Sequence, residues 1–281
     1  MRFINQPELK NSVMIAAWKG WPDAGYAGTL ALTVIIDQLD AKPLTNLERD
    51  RFFQFTETRP NVHKSGGKRK IIWPEGRFFY REATSARQHD LALFIGDEPH
   101  LKWGAYSDWF RQVAGFCDTQ LLVTVGAYLD AVPHTLAPQV ALSANASPLG
   151  RRFRNLDFPE STYEGPVAIG SIIADEFLSG EIPCVSVWGR SPNYLNQLNP
   201  PLAAAIIEKL NPFVRRDIDT DALWKARENF LKEAEEHIKK SGSGLRNYIK
   251  MLEKRFDEGD DALIKDVEDY LRFRDDNESD K

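Results

Sequence analysis

Short apolar runs bounded by Gly, Pro or Asp alternate along most of the chain with longer stretches in which apolar residues recur every three or four positions. Residues 13–18 form a run of the first kind that stops at Gly20. After Asp23, the positions of Ala27, Leu30, Ala31, Val34 and Ile35 fall at helical spacing. This predicts strand, loop and helix. Two aromatic, β-prone runs at 51–55 and 69–73 precede a third at 77–81, which follows the Pro74-Glu75-Gly76 turn; together they predict a hairpin region. Residues 91–95 are continuously apolar between Asp90 and Gly96, the pattern of a strand buried on both faces, and 103–116 reads as a helix. The pattern then repeats, with a buried strand at 121–125 ending at Gly126 and a strand at 139–144. A helix at 165–178 carries Val167, Ile169, Ile172, Ile173 and Phe177, a last strand follows at 183–188, and a covering helix at 202–210. Strands alternating with helices imply a three-layer α/β/α domain over residues 1–215, with a mostly parallel or mixed sheet.

After Pro212 the texture changes. Half of residues 216–281 are charged, and apolar residues recur at three- and four-residue steps in three stripes. Leu223, Ala226, Phe230, Ala234 and Ile238 form the first. Leu245, Tyr248, Ile249, Leu252 and Phe256 form the second, and Leu263, Val267, Tyr270 and Leu271 the third. The Ser241-Gly242-Ser243-Gly244 break separates the first two. Residues 216–281 are therefore expected to form a C-terminal extension of amphipathic helices. Their stripes need a surface: the α/β body, each other or another subunit. Residues 275–281 are expected to be disordered.

Composition changes this picture mainly through charge. Of 36 Lys and Arg and 41 Asp and Glu, residues 216–281 hold 14 and 19, so the body is neutral and the whole net charge of −5 belongs to the tail. Nucleic-acid binding normally requires a basic excess. The local candidates are Lys64, Lys68, Arg69 and Lys70 around Gly66-Gly67, and Arg151, Arg152 and Arg154; solvated loops explain both clusters more simply. No nucleic-acid partner is expected. The first residues lack the charged and apolar regions of a signal peptide, and the longest uncharged stretch near them, 24–36, is too short to span a bilayer, so a cytoplasmic protein without a membrane partner is expected. Cys117 and Cys184 stand far apart with no CxxC or Cys/His pairing, which suggests neither a disulfide nor a metal site; small core residues in or beside strands are the simpler reading.

Candidate chemistry concentrates in four loops at predicted strand ends, where α/β sheets bind ligands. They are Gly20-Trp21-Pro22-Asp23-Ala24-Gly25; Gly96-Asp97-Glu98-Pro99-His100, with Trp103 beyond; Gly126 through Asp130 to Pro133-His134; and Gly189-Arg190-Ser191-Pro192-Asn193-Tyr194. If the protein is an enzyme, Asp23, Glu98 and His134 are the acid and base candidates. The ligand-binding candidates are Gly20, Trp21, Asp23, Gly25, Glu98, Trp103, Gly126, His134, Asn193 and Tyr194. Each has a structural reading beside it: Asp23 as a helix cap, the glycines as turn formers, Glu98 as an acceptor of backbone amides, Trp103 as core. The spacing matches neither GxGxxG nor a P-loop, and GxSxG and HExxH are absent, so no cofactor or metal is expected.

The order and spacing of these loops resemble one family. Gly20 to Gly25, Arg59-Pro60, Gly96-Asp97-Glu98-Pro99 with Trp103, Gly126 followed by Pro133-His134, Tyr163-Glu164-Gly165-Pro166, and Ser186-Val187-Trp188 with Pro192-Asn193-Tyr194 look like the proteasome assembly chaperone two family over roughly residues 12–215. The resemblance implies a phosphorylase/hydrolase-like α/β/α fold and, in eukaryotic and archaeal relatives, chaperoning of proteasome assembly through protein contacts. Asn193 stands where bacterial members commonly have a histidine, and Val167-Ala168 replaces a commoner Thr-Gly. The leading expectation is a non-enzymatic assembly or interaction protein that self-associates and has a protein partner. Its rivals are a hydrolase or transferase acting on a nucleoside-like ligand, and a module that binds such a ligand without turnover.

Overall fold

The structure, a computed structural model, describes residues 3–144, 164–180 and 182–258. A seven-stranded sheet lies at its centre. Its strands are β1 (Ser12–Lys19), β2 (Lys42–Asn46), β5 (Gly76–Arg81), β6 (Leu91–Asp97), β7 (Thr119–Asp130), β8 (Gln139–Ala144) and β9 (Cys184–Pro192), in the order β2-β5-β6-β1-β7-β9-β8. The four central strands β6, β1, β7 and β9 are parallel; β5 and β8 run against them at the two margins, and β2, paired antiparallel with β5, returns to the central direction. A separate hairpin pairs β3 (Asn61–Ser65) with β4 (Lys68–Ile72).

The continuous apolar runs of the central strands supply two cores, because successive side chains leave a strand on opposite faces. Val13, Ile15 and Ala17 of β1 join Leu91, Leu93, Leu121, Val123 and Val187 on one face. That face is covered by α1 (Ala27–Gln38) and α5 (Pro200–Val214), through Leu32, Ile35, Ile206 and Phe213 among others. Met14, Ala16 and Trp18 point the other way, into an aromatic core with Phe78, Phe94, Tyr106 and Phe110, under α3 (Trp103–Phe116) and α4 (Ile169–Ser179). The turn Arg49–Phe52 is α2, and α6 (Asp221–Lys225), α7 (Arg227–Ser241) and α8 (Ser243–Asp257) follow α5. The expected three-layer α/β/α architecture with a mixed sheet is what the chain forms.

Four local expectations need correcting. Residues 51–55 are not a strand: Arg49–Phe52 is a helical turn that buries Phe52 beside a buried Phe53, and the hairpin partner of 68–72 is 61–65 instead. The lysine and arginine cluster therefore stands on paired strands, joined by Gly66 and Gly67 at φ of 56° and 75°, the left-handed conformation a two-residue hairpin turn demands. Strand β2 was not foreseen, because Pro43 and the short polar segment lack a strand pattern; it is an edge strand, where proline is tolerated. Gly126 does not end β7, which continues to Asp130. The helix expected from 165 starts at Ile169, after Ala168 in extended backbone.

The tail helices pack on the body and on each other. Phe230, Ala234 and Ile238 of α7 and Tyr248, Ile249 and Leu252 of α8 bury against Ala131, Tyr194 and Leu195, which lie just past the ends of β7 and β9. Gly242, at φ 88°, makes the break between α7 and α8. The third stripe (Leu263, Val267, Tyr270, Leu271), residues 275–281, Arg151, Arg152, Arg154 and Tyr163 lie outside the described residues. Among the described residues no helix is long and apolar enough to cross a membrane.

Candidate functional site

The parallel strands end together at Lys19, Asp97, Asp130 and Pro192, so the four loops do gather along one edge of the sheet. In the first loop Asp23 is 4% exposed, and its carboxylate is fully engaged. Oδ1 accepts the backbone N–H groups of Gly28 at 2.9 Å and Thr29 at 3.2 Å, and Oδ2 accepts the Thr29 hydroxyl. These amides open α1 and would otherwise lack partners. Burial pushes the Asp23 carboxyl up to about 6, against the opposing pull of those hydrogen bonds and of Lys19. The loop is pinned to the neighbouring strand, since Ala127 N–H donates to the Pro22 carbonyl at 2.8 Å. Trp21 points outward, 63% exposed.

The expected glycines serve close approach. A Cβ on Gly126 would stand 2.5 Å from the Trp188 ring and 2.7 Å from the Pro22 carbonyl oxygen; one on Gly25, at φ 63°, would stand 2.8 Å from Asn199 Cβ. Gly20, at φ 115°, turns the chain beside Glu98.

Glu98 begins the second loop, its N–H donating to the Lys19 carbonyl at 2.9 Å. Its Oε1 accepts the N–H of Ile169 at 2.9 Å, so this carboxylate holds the first turn of α4 as Asp23 holds that of α1. Burial raises its pKa, opposed by the Ile169 amide and by His100. Trp103 donates its indole N–H to the Pro99 carbonyl at 2.8 Å and packs on the aromatic core.

The third and fourth loops meet at His134 and Tyr194. The Tyr194 hydroxyl accepts the His134 backbone N–H at 2.9 Å and lies 2.9 Å from His134 Nδ1. One hydroxyl therefore holds both the backbone and the ring of His134. Burial lowers the His134 pKa, and Arg227 works in the same direction, against Glu235 and Glu253. Tyr194 meets the ring of Tyr248 edge-on, and the Tyr248 hydroxyl is 3.0 Å from Asn193 Nδ2. The tail helix α8 therefore docks directly onto two of the expected site residues.

Among the described residues no hydrogen bond joins any two of Asp23, Glu98 and His134; Asp23 bonds the start of α1, Glu98 the start of α4 and His134 the Tyr194 hydroxyl. What the structure does bring together was not foreseen. Arg190 Nε lies 2.6 Å from Asp130 Oδ2, with both side chains nearly buried, and Arg190 also donates to the Gln139 side-chain carbonyl and faces the Phe256 ring at 5.6 Å. The two residues are sixty positions apart, and only strand register could have paired them. Beside this pair, His134, Gln139, Asn199, Arg227, Phe230 and Phe256 line a cleft of about 30 Å³, room for one or two waters. Among the described residues no group of His, Cys, Asp and Glu is arranged to hold a metal.

The chain is similar to several solved structures. One is a PAC2 family protein from Streptomyces avermitilis, 28% identical, with a TM-score of 0.74 over 84% of this chain and 99% of that one. A proteasome-assembly chaperone homologue from Mycobacterium tuberculosis is 25% identical, with a TM-score of 0.72 over 84% and 99%. An archaeal proteasome activator from Pyrococcus furiosus, 18% identical with a TM-score of 0.69 over 83% and 97%, shares the fold. No curated protein matches. The model of the PAC2 family matches residues 17–238, which takes in the sheet from the end of β1 onward, all four strand-end loops and most of helix α7, and the chain belongs to the PAC2 family.

Proposed function

We propose that this chain is a non-enzymatic, assembly-chaperone-like protein that works in the cytoplasm through protein contacts and associates with copies of itself. The observation that carries the reading is the state of the strand-end edge. Its three acid and base candidates are each committed to a separate structural hydrogen bond, while Trp21, Tyr26, Leu129 and Leu198 around the same edge stand 49–63% exposed. A rim of large apolar side chains over acid and base groups that already hold structural hydrogen bonds suits a protein partner better than a small substrate. A ligand pocket normally offers roughly 300 Å³ or more, about ten times the cleft beside Arg190. Membership of the PAC2 family supports the same reading, since one similar structure is that of a proteasome-assembly chaperone homologue.

The hydrolase or transferase alternative needs Asp23, Glu98 and His134 to act on one ligand, and no observation favours it. The test is affinity capture of the full chain from native lysate alongside light scattering of the purified protein. A stoichiometric partner or oligomer that is lost on replacing Trp21 and Tyr26 by Asp, with the thermal transition retained, is the expected result. A strict monomer that captures nothing would overturn the proposal.

A further inference from the structure

The β3–β4 hairpin stands apart from everything described so far. Every residue of β4 is exposed, as are residues 61–64 of β3. A two-stranded hairpin with no third strand and no core is marginal in water, yet this one carries Val62, Ile71 and Ile72 at 38–48% exposure. Cross-strand register pairs Val62 with Ile71 and Lys64 with Arg69, so these four side chains share one face: an apolar pair with a cationic pair nearer the turn. Lys70 and Lys68 stand on the other face. Residues 61–72 contain four cations and no acid, and among the described residues none of the four has an ion-pair partner.

The complement is in the chain's own sequence. Residues 259–281 hold nine Asp and Glu against four Lys and Arg, which is the entire net charge of −5, and intersperse them with Leu263, Val267, Tyr270 and Leu271. We propose that the hairpin is the docking site of this acidic C-terminal segment of the same chain: Val62 and Ile71 receive its apolar residues, Lys64 and Arg69 on the same face receive its carboxylates, and Lys68 and Lys70 add positive charge from the strand's other face. The connection has the reach. Strand β5 enters the sheet directly after the hairpin at Gly76, opposite Gly96, the same end of the sheet over which α8 delivers Phe256 to Arg190. Four to five strand spacings separate them, roughly 20–25 Å, whereas 23 residues span about 35 Å as a helix and about 75 Å extended. A tether of that length holds the segment at an effective concentration on the order of millimolar, which favours the chain's own segment over that of a second copy. The docked segment would screen a strongly basic surface of a body that is neutral as a whole, leaving it open only to a more acidic competitor.

The test is carbodiimide cross-linking of the full chain, read by mass spectrometry, in an equal mixture of ¹⁵N-labelled and unlabelled protein. Expected are links from Lys64, Lys68 or Lys70 to carboxylates within 260–280, each within a single isotopic species, and their loss in about 0.5 M salt, where charge interactions are screened beyond a few ångströms. As a second measurement, replacing Asp260, Asp261 and Asp266 with Asn, Glu268 with Gln and Asp269 with Asn should speed amide exchange across 61–72 by about five-fold or more. Absence of such links, or unchanged exchange, overturns the proposal. Mixed-isotope links also overturn it, assigning the surface to a second copy.

Discussion

Replacing Asp23 by Asn separates the structural reading of that residue from a chemical one, because its burial gives it a pH signature of known sign. An Asp that caps a helix usually titrates below its ordinary value, since amide donors favour the charged form. Here burial outweighs three donors, and the carboxyl moves from 3.8 to about 6. A folded-state value above the unfolded one means that the folded protein holds the proton more tightly. The associated stability is therefore fully present below 3.8 and is lost as pH rises through about 6. The full displacement is worth about 3 kcal/mol, of which about 2 kcal/mol falls between pH 4.5 and 7.5. Asn keeps an oxygen for the Gly28 and Thr29 amides and cannot ionise, so whatever it costs through Thr29 is constant with pH.

The measurement is urea unfolding of both proteins across that pH range, and the quantity of interest is their difference, in which every other titrating group cancels. The wild type should lose about 2 kcal/mol relative to Asp23→Asn from pH 4.5 to 7.5. A difference that stays flat, or a wild type that gains on the variant as pH rises, would refute the claim that burial dominates at Asp23. Retained partner capture by the folded variant is the corresponding expectation for function.

Gly126→Ala should cost about 2–3 kcal/mol by forcing a methyl into the Trp188 ring and the Pro22 carbonyl, lowering the thermal midpoint by roughly 5–10 °C in a melt followed by tryptophan fluorescence. Arg190→Met should be less damaging combined with Asp130→Leu than the sum of the two single changes, because either alone leaves a buried charge or its partner groups unpaired at a cost of about 3–5 kcal/mol; additive effects in denaturant melts would contradict this. Because burial lowers the His134 pKa, this residue should weaken the fold as pH falls below 6.5, where the unfolded chain gains a proton that the folded one resists; His134→Gln should flatten that part of the profile, and an unchanged slope would count against it.

The period of the hydrophobic pattern made the parallel strands and α3 legible from the sequence, because each must satisfy its own backbone and bury its own face whatever the partner. The run 13–18 could be nothing but a strand between two layers, and it sends Ile15 into one core and Met14 into the other. Phe52 and Phe53 misled for the same reason: aromatic residues suit a strand, but here they are buried beside a single helical turn. Deciding between the two needed the backbone, where Phe52 supplies its carbonyl to His100 and Leu101.

The strand-end loops were equally legible as a location, since topology places them, but the roles of their side chains were not. Asp23 works within six residues of itself, and its capping role was readable from the helix that follows. Glu98 satisfies an amide 71 positions away, Asp130 a guanidinium 60 away, and Tyr194 both His134 and a tail helix. Such assignments depend on register between strands, and no local spacing encodes them. A carboxylate that stabilises a distant helix start and one that waits for a substrate are the same residue type in the same kind of loop. The distinction lies in whether its oxygens already hold structural partners, and at Asp23 both do.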